Sequence, residues 1–265
     1  MAARKQKKII VLGAKGLLGS TVSKYFKDLG NHVIEIDREN YNDYVDSRAD
    51  ILINCNGSPY RFKAKENPSR DFEHNVTSVK NSLFDFSVNT YIYISTIDVY
   101  HSRNNTNETN EETEIQTKTL DNYGFHKWIA EQLVLKYSKK YLIIRSGTLI
   151  GKGLKKGPIF DILNGKQLRM SLESKLSLID TSVVAEAIAA ILATEPSQEI
   201  YNVTGKDSVR LIDLLSHIRI PIKEPKKENQ VIYEYSINTK KLSKIFKIPS
   251  SSEMTIRFIN GENKK

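Results

Sequence analysis

Cysteine is almost absent from this chain: Cys55 is the only one in 265 residues. One thiol builds no internal disulfide framework, and its scarcity suits a reducing, cytoplasmic setting. Cys55 closes an apolar stretch, which marks a small buried residue rather than a nucleophile. Nowhere do about 20 apolar residues run together, so no segment reads as a membrane span. The basic start, Arg4-Lys5-Gln6-Lys7-Lys8, leads straight into a strand and lacks the apolar core of a signal peptide. There is no internal repeat, no zinc-finger spacing and no aromatic RNA-binding motif. No metal is expected. Acidic residues are in deficit, 31 Asp and Glu against 40 Lys and Arg, a net charge of +9. Part of the excess lies late: from residue 221 onward 10 Lys or Arg stand against 5 Glu, scattered rather than gathered in an arm. That balance points to an anionic small substrate rather than to nucleic acid. With 39% hydrophobic and 27% charged residues the chain is an ordinary globular one, long enough for a sizeable core and a second lobe.

What is present centres on Gly13-Ala14-Lys15-Gly16-Leu17-Leu18-Gly19. An apolar run, Ile9-Ile10-Val11-Leu12, precedes it. Leu18, Val22, Phe26 and Leu29 follow at helical steps. The glycines therefore sit where a buried strand turns into a helix. The first permits the tight turn, the second lets backbone approach a ligand, and the third lets helix and strand pack closely. The N–H groups opening the helix favour an anion such as a pyrophosphate. A second strand, His32–Ile36, ends on Asp37, where an acidic side chain reads a ribose hydroxyl pair. Arg38 comes next, and Lys15 lies inside the turn; either cation reaches toward a 2′-phosphate. The pattern predicts a dinucleotide site and leaves NAD against NADP open.

The rest of the chain alternates. Strands are expected at 51–54, 91–95 and 141–144. Helices are expected at 72–86, on Phe72, Val76, Val79, Leu83 and Phe86, and at 121–138, on Phe125, Trp128, Ile129 and Leu133. Between them lie the turn Cys55-Asn56-Gly57-Ser58-Pro59 and a polar loop, 103–119, to which no chemistry is assigned. This order predicts an α/β fold with a Rossmann-type, doubly wound parallel sheet. Residues 1–150 form the dinucleotide-binding part and 151–265 a smaller substrate lobe, with an Ala-rich helix at 183–193 and one strand near 199–204 returning to the sheet. Ligands of such sheets sit at the carboxyl ends of the strands, where Gly13, Asp37, Asn56, Thr96 and Gly147 fall.

Tyr123 and Lys127 are four apart and share a helix face. A phenol titrates near 10, too high to cycle near neutrality, and a neighbouring ammonium lowers it. In Ser95-Thr96-Ile97-Asp98-Val99-Tyr100 a hydroxyl reaches the sheet's carboxyl edge, where it can hold a substrate oxygen.

The glycine turn, the acid after the second strand, Ser-Thr-x-x-Val-Tyr and Tyr-x-x-x-Lys about 25 residues later together resemble the extended short-chain dehydrogenase/reductase family. The likeness is to its sugar-nucleotide branch, which holds the NAD-dependent epimerases and dehydratases and the dTDP-4-dehydrorhamnose reductases. It runs from Ile9 to about Gly151 and continues faintly at Leu178–Asp180, Val184–Ile188 and Tyr201–Gly205. The resemblance implies Thr96, Tyr123 and Lys127 as catalytic residues. It implies Gly13, Lys15, Gly16, Leu17, Leu18, Gly19, Asp37, Arg38, Asn56, Gly57, Asn75, Ser95, Tyr123 and Lys127 as the NAD(P)-binding set. Departures are visible: Cys55-Asn56-Gly57 replaces the usual alanine pair, Arg145-Ser146 replaces Arg-Pro, and Thr96-Ile97-Asp98 replaces the Thr-Asp-Glu of dehydratases. The expected activity is NAD(P)-dependent reduction of a nucleotide-linked keto sugar. An NAD-retaining epimerase and a non-catalytic dinucleotide-binding regulatory subunit are the alternatives. The partners implied are a nucleotide-sugar substrate, no nucleic acid and no membrane, and a homodimer is left open.

Overall fold

The computed structural model describes residues 6–57, 61–226 and 230–262; Ser58 and Pro59 of the turn after the third strand, and Arg4 and Lys5, lie outside them. The chain begins β1 (Lys8–Leu12), α1 (Leu17–Asp28), β2 (His32–Ile36) and β3 (Arg48–Asn54). Then come α2 (Arg61–Glu66), α3 (Pro68–Phe72), α4 (Ser78–Asp85), β4 (Ser87–Thr96), α5 (Asn122–Tyr137) and β5 (Tyr141–Ser146). The remainder holds β6 (Thr148–Ile150), α6 (Pro158–Leu163), β7 (Lys175–Leu176), β8 (Leu178–Asp180), α7 (Thr181–Leu192), β9 (Gln198–Val203), β10 (Val209–Arg210), α8 (Lys240–Ser243) and α9 (Ser251–Glu262).

Six strands form one parallel sheet in the order β2-β1-β3-β4-β5-β9. It is the Rossmann-type α/β sheet. The chain leaves β1 outward to β2 and then returns to the other side of β1 as β3. The order thus reverses between β1 and β3, the place where such sheets bind ligands. β9 pairs with β5 from Tyr141↔Gln198 to Ser146↔Val203, so the sheet draws on both halves of the chain. Two small pairs, β6 with β8 and β7 with β10, lie outside it. The central strands are apolar on both faces, as a sheet covered by helices requires. Ile9 and Val11 point into one cluster with α1, while Ile10 and Leu12 point into the other with Val79, Ala130 and Val134. Among the described residues no helix is long and apolar enough to cross a membrane.

Two helices differ from the periodicity. The run expected at 72–86 is α3 and α4 joined by a wider, π-type turn at Glu73–Thr77. Phe86 has left the helix, and Phe72 is exposed, its ring edge-on to His126. In α5 the apolar stripe is only partly buried: Phe125 is exposed, while Trp128, Ile129 and Leu133 are half-buried and Trp128 packs against the core. Phe125 stacks on Trp128 at 6.1 Å, while Gly124, His126, Lys127, Ala130, Glu131 and Val134 face in. The buried face of the helix thus carries His126, Lys127 and Glu131 beside Ala130 and Val134, and these polar residues build the site.

The polar loop 103–119 is held at several points. Thr109 is fully buried and donates to the Ser236 carbonyl at 2.8 Å. Asn202 donates its amide nitrogen to the carbonyls of Thr109 and Asn238, and its backbone N–H to Glu111. Hydrogen bonds anchor here where apolar burial is lacking.

Candidate active site

The glycine turn lies at the carboxyl end of β1. Gly13 has φ +73°, and its N–H donates to the Ile36 carbonyl at 2.8 Å. A Cβ on Gly13 would stand 2.7 Å from Asn56 Oδ1, so the turns after β1 and β3 touch. Helix α1 starts at Leu17 with Gly16 as its cap residue and no side chain capping it. Its first N–H groups face outward over an exposed glycine. That bare cradle fits a pyrophosphate. Leu17 is half-buried and Leu18 packs into the core, so Leu18's side chain serves helix packing.

Lys15 Nζ lies 2.8 Å from Asp37 and 2.6 Å from Glu39. The hydrogen bond from Lys15 and then the backbone N–H of Glu39 hold the Asp37 carboxyl below the usual range. Asp37 is therefore an acceptor at neutral pH, already carrying a cation beside it. Arg38 is exposed, and its charge acts on His74.

At the carboxyl end of β4 the chain makes a short turn, and the N-terminus of α5 packs onto it. Gly124 permits the approach: a Cβ there would come within 2.4 Å of the Asp98 carbonyl. Asp121 caps α5 by accepting from the Gly124 N–H at 2.8 Å. This brings the Tyr123 phenol beside Thr96, which favours its phenolate and whose hydroxyl oxygen accepts from the Asp98 N–H at 3.1 Å. Lys127, one turn on, is buried; it donates to the Ile94 carbonyl at 2.7 Å and lies 4.3 Å from the centre of the Tyr93 ring. A Cβ on Gly57 would lie 3.2 Å from Asn75 Oδ1 and 3.7 Å from Lys127 Nζ. Thr96, Tyr123, Lys127, Asn75 and Gly57 thus meet around one point.

Ser95 is an exception among the expected cofactor residues. Strand alternation turns it to the opposite face from Thr96, where its hydroxyl donates to Glu131 at 2.5 Å. It belongs to the packing of β4 on α5.

The electrostatics differ from the simple pairing of phenol and ammonium. Burial pushes the Tyr123 phenol up, the charges of Asp98 and Asp71 add to it, and Arg61 and Thr96 oppose. Burial also lowers Lys127 to about 7, against the charges of Glu131 and Asp71. Burial pushes the Cys55 thiol up to about 12, so it stays protonated and is no nucleophile.

Several site residues carried no linear signal. Arg61 bonds Asp121 at 2.5 Å, Asp98 at 3.1 Å and the Tyr235 hydroxyl at 3.0 Å. Tyr235 donates to Asp98 at 2.7 Å, and Arg103 stands 3.5 Å from the same carboxylate. Beside them opens a cavity of about 530 Å³, lined by residues 101–104 and 232–235. Among the described residues no cluster of His, Cys, Asp or Glu is arranged to hold a metal ion.

Deeper in, Arg145 clasps Glu131 with Nη2 at 2.8 Å and Nε at 3.1 Å. Glu131→Gln is expected to cost roughly 3–5 kcal/mol of stability, because Arg145 would stay buried with its charge unmatched. Urea unfolding reads it; a loss below about 1 kcal/mol, the range of exposed pairs, would mean Arg145 finds another partner. His126 and Glu131 were detectable in principle, since they fall in phase with Tyr123 and Lys127 on one helix face.

A family model described as the NAD dependent epimerase/dehydratase family matches residues 9–204. Comparison with curated proteins gives no match. Among solved structures the chain is similar to UDP-galactose 4-epimerase, at 19% identity over 97% of this chain and 99% of that one, TM-score 0.80. It is similar to MoeE5 in complex with UDP-glucose and NAD, at 13% identity over 97% and 98%, TM-score 0.85. It is also similar to dTDP-4-dehydrorhamnose reductase from Bacillus anthracis in complex with NADP, at 16% identity over 97% and 99%, TM-score 0.77. At these identities the likeness is one of fold.

Proposed function

The chain belongs to the NAD dependent epimerase/dehydratase family, and from that premise we propose that it is an NAD(P)-dependent oxidoreductase that reduces a keto group of a nucleotide-linked sugar. The observation that carries this reading is the meeting of Tyr123, at the start of α5, with Thr96, at the carboxyl end of β4, where Thr96 acts on the phenol, with Lys127 one helical turn beyond.

The dinucleotide would lie over Gly13, Gly16 and Gly19, its pyrophosphate at the start of α1, its adenosine ribose at Asp37 and its nicotinamide ribose at Lys127. When bound and reduced it supplies the hydride taken by the keto carbon. The chain's own residues manage the oxygen. Thr96 donates to it and fixes its position, and Tyr123 delivers the proton. Burial and two carboxylates keep that phenol protonated in the free chain, the form a reduction consumes. The cavity beside Asp98 fits a nucleotide sugar in size, and its Arg103 suits the phosphates. Asp98 is bound by Arg61, Arg103 and Tyr235 and is no free acid–base group, which argues against dehydration.

The alternative is an epimerase using the same trio, since UDP-galactose 4-epimerase is among the similar folds. Nicotinamide absorbance separates the readings when purified protein meets a panel of nucleotide 4-keto sugars. Stoichiometric loss of reduced cofactor is expected. Interconversion of epimers without net loss would replace the reductase with the epimerase. Tight cofactor binding with no turnover of any substrate would leave a regulatory binding subunit.

Cofactor choice gives a second test. Lys15 already offsets Asp37, and Arg38 stands free beside it at the surface. Removing both cations (Lys15→Ala with Arg38→Ala) should weaken NADP(H) about tenfold or more and NAD(H) far less, because only the former carries a 2′-phosphate. Equal losses by calorimetry would mean that neither cation reads the phosphate.

A further inference from the structure

Arg61 opens α2 and bonds three parts of the chain that lie far apart in sequence. Its Nε and Nη2 both donate to Asp121 Oδ2, at 2.8 and 2.5 Å. Its Nη1 donates to Asp98 Oδ1 at 3.1 Å and to the Tyr235 hydroxyl at 3.0 Å. A guanidinium is planar and its donors are fixed in a fork, so these bonds together hold it in one orientation. Tyr235 closes the ring by donating to the same Asp98 oxygen at 2.7 Å. Asp98 is the most enclosed of these charges, with 13% of its side chain exposed, so its partners must be held in place.

Each of the two carboxylates reaches one member of the Thr96–Tyr123 pair. Asp98 follows Thr96 by two residues, and its backbone N–H donates to Thr96 Oγ1 at 3.1 Å. That bond occupies a lone pair of the hydroxyl and leaves its hydrogen to be donated. Asp121 uses its other oxygen, Oδ1, to cap α5 at the Gly124 N–H, 2.8 Å away. Tyr123 stands on that capped first turn. α2 is tied to α5 a second time, where Asn122 Nδ2 donates to the Ala64 carbonyl at 3.0 Å. The third arm, Tyr235, belongs to the wall of the cavity of about 530 Å³, and Arg61 also lies 5.2 Å from the centre of the Tyr233 ring in that wall. One guanidinium therefore bonds the turn after Thr96, the cap under Tyr123 and the wall of the cavity.

We propose that Arg61 is the positioning residue that sets the Tyr123 phenol and the Thr96 hydroxyl toward one substrate oxygen and holds both in register with the cavity wall. It acts through Asp98, Asp121 and Tyr235, the partners of its hydrogen bonds. The fork is what the role requires. A lysine carries the charge on one nitrogen and cannot present separate donors to two carboxylates and a phenol at once. Arg103 is no substitute: its Nη1 stands 3.5 Å from Asp98, and its Nε is taken by the Tyr100 carbonyl at 3.0 Å. A displacement of about 1 Å in a reacting group costs about a hundredfold in rate, so a loosened clamp should show in turnover before it shows in stability. The consequence for turnover rests on the reading of Thr96 and Tyr123 given above; the setting of Tyr123 in the free chain does not.

The test compares Arg61→Lys with the wild type, since lysine keeps the charge and loses the fork. On the nucleotide 4-keto sugar that the wild type turns over best, kcat should fall about tenfold or more, while NAD(P)H affinity stays within about threefold and the melting temperature stays close to wild type. Charge compensation alone would be met by lysine, so a wild-type kcat in Arg61→Lys overturns the proposal. The free chain is read by NMR with 13C-labelled tyrosine rings and by amide exchange. Arg61→Lys should move the Tyr123 ring resonance and speed exchange of the Gly124 N–H about tenfold, with the core amides of β4 and β5 unchanged. Unmoved Tyr123 and Gly124 signals in the folded variant overturn the proposal, whether or not any sugar is turned over. A wild type that turns over none of the panel removes the reductase reading, and the NMR comparison then decides the setting of Tyr123 by itself. Should Arg61→Lys not fold, Asp121→Asn takes its place, because asparagine still caps the helix but offers the guanidinium no charge. Wild-type kcat and Gly124 exchange in that variant overturn the proposal equally.

Discussion

Tyr123→Phe is expected to lower kcat by roughly a thousandfold or more, with NAD(P)H affinity changed by less than about threefold. The substitution deletes one hydroxyl and keeps the ring. Tyr123 is half-buried at the first turn of α5, with Thr96 near its hydroxyl. No neighbour can take over the proton. Asp98 is held by two arginines and Tyr235, and Cys55 remains a thiol. Lys127 is held by the Ile94 carbonyl, to which it donates at 2.7 Å. Thr96 would still bind the substrate oxygen, so KM should hold while kcat collapses. That split identifies an interaction made only in the transition state. Retention of a tenth or more of the activity would sink the mechanism. Lys127→Ala should behave differently, hurting turnover and cofactor affinity together.

The fold was legible because its signals are local. A buried parallel strand is a short apolar run, and a glycine-spaced turn into a helix names the first βα unit; both survive in one dimension. Thr96, Tyr123 and Lys127 were legible for the same reason, being fixed spacings at the ends of such elements. α5 shows where this fails. Its apolar residues Phe125, Trp128, Ile129 and Leu133 suggest an inner face, yet the inner face carries His126, Lys127 and Glu131. Periodicity reports that two faces differ and not which one is buried. The polar loop 103–119 fails for a related reason. Composition cannot separate polar side chains solvated at a surface from those that make tertiary bonds, such as Thr109 to the Ser236 carbonyl and Glu111 to the end of β9. Arg61 and Tyr235 are 174 residues apart, and nothing short of the fold brings them onto Asp98.

Gly16→Val is expected to abolish dinucleotide binding while the chain stays folded, and Gly19→Ala to do nearly the reverse. Gly16 has φ −75° and ψ 167°, a conformation open to any residue. A Cβ there would meet only the Gly13 carbonyl, at 3.0 Å, a contact that a small shift relieves. The valine methyls would instead stand over the uncapped N–H groups at the start of α1. A pyrophosphate needs that space, because its oxygens must come within about 3 Å of those donors to bond them. The ligand is therefore excluded by a side chain that the protein itself accommodates. Gly19 faces the other way. A Cβ there would lie 2.1 Å from the Gly13 carbonyl oxygen and 3.1 Å from the Ala14 Cα. Both are backbone, so no rotamer change relieves the clash; α1 must move off the turn after β1. Overpacking of that kind costs about 1–3 kcal/mol or more, and the melting temperature should fall accordingly. Calorimetry of cofactor binding beside thermal unfolding of both variants reads the contrast. A Gly16→Val protein that binds the dinucleotide unchanged would refute the placement of the pyrophosphate at this turn. One that melts as early as Gly19→Ala would show that the second glycine serves packing, leaving its approach to a ligand without support.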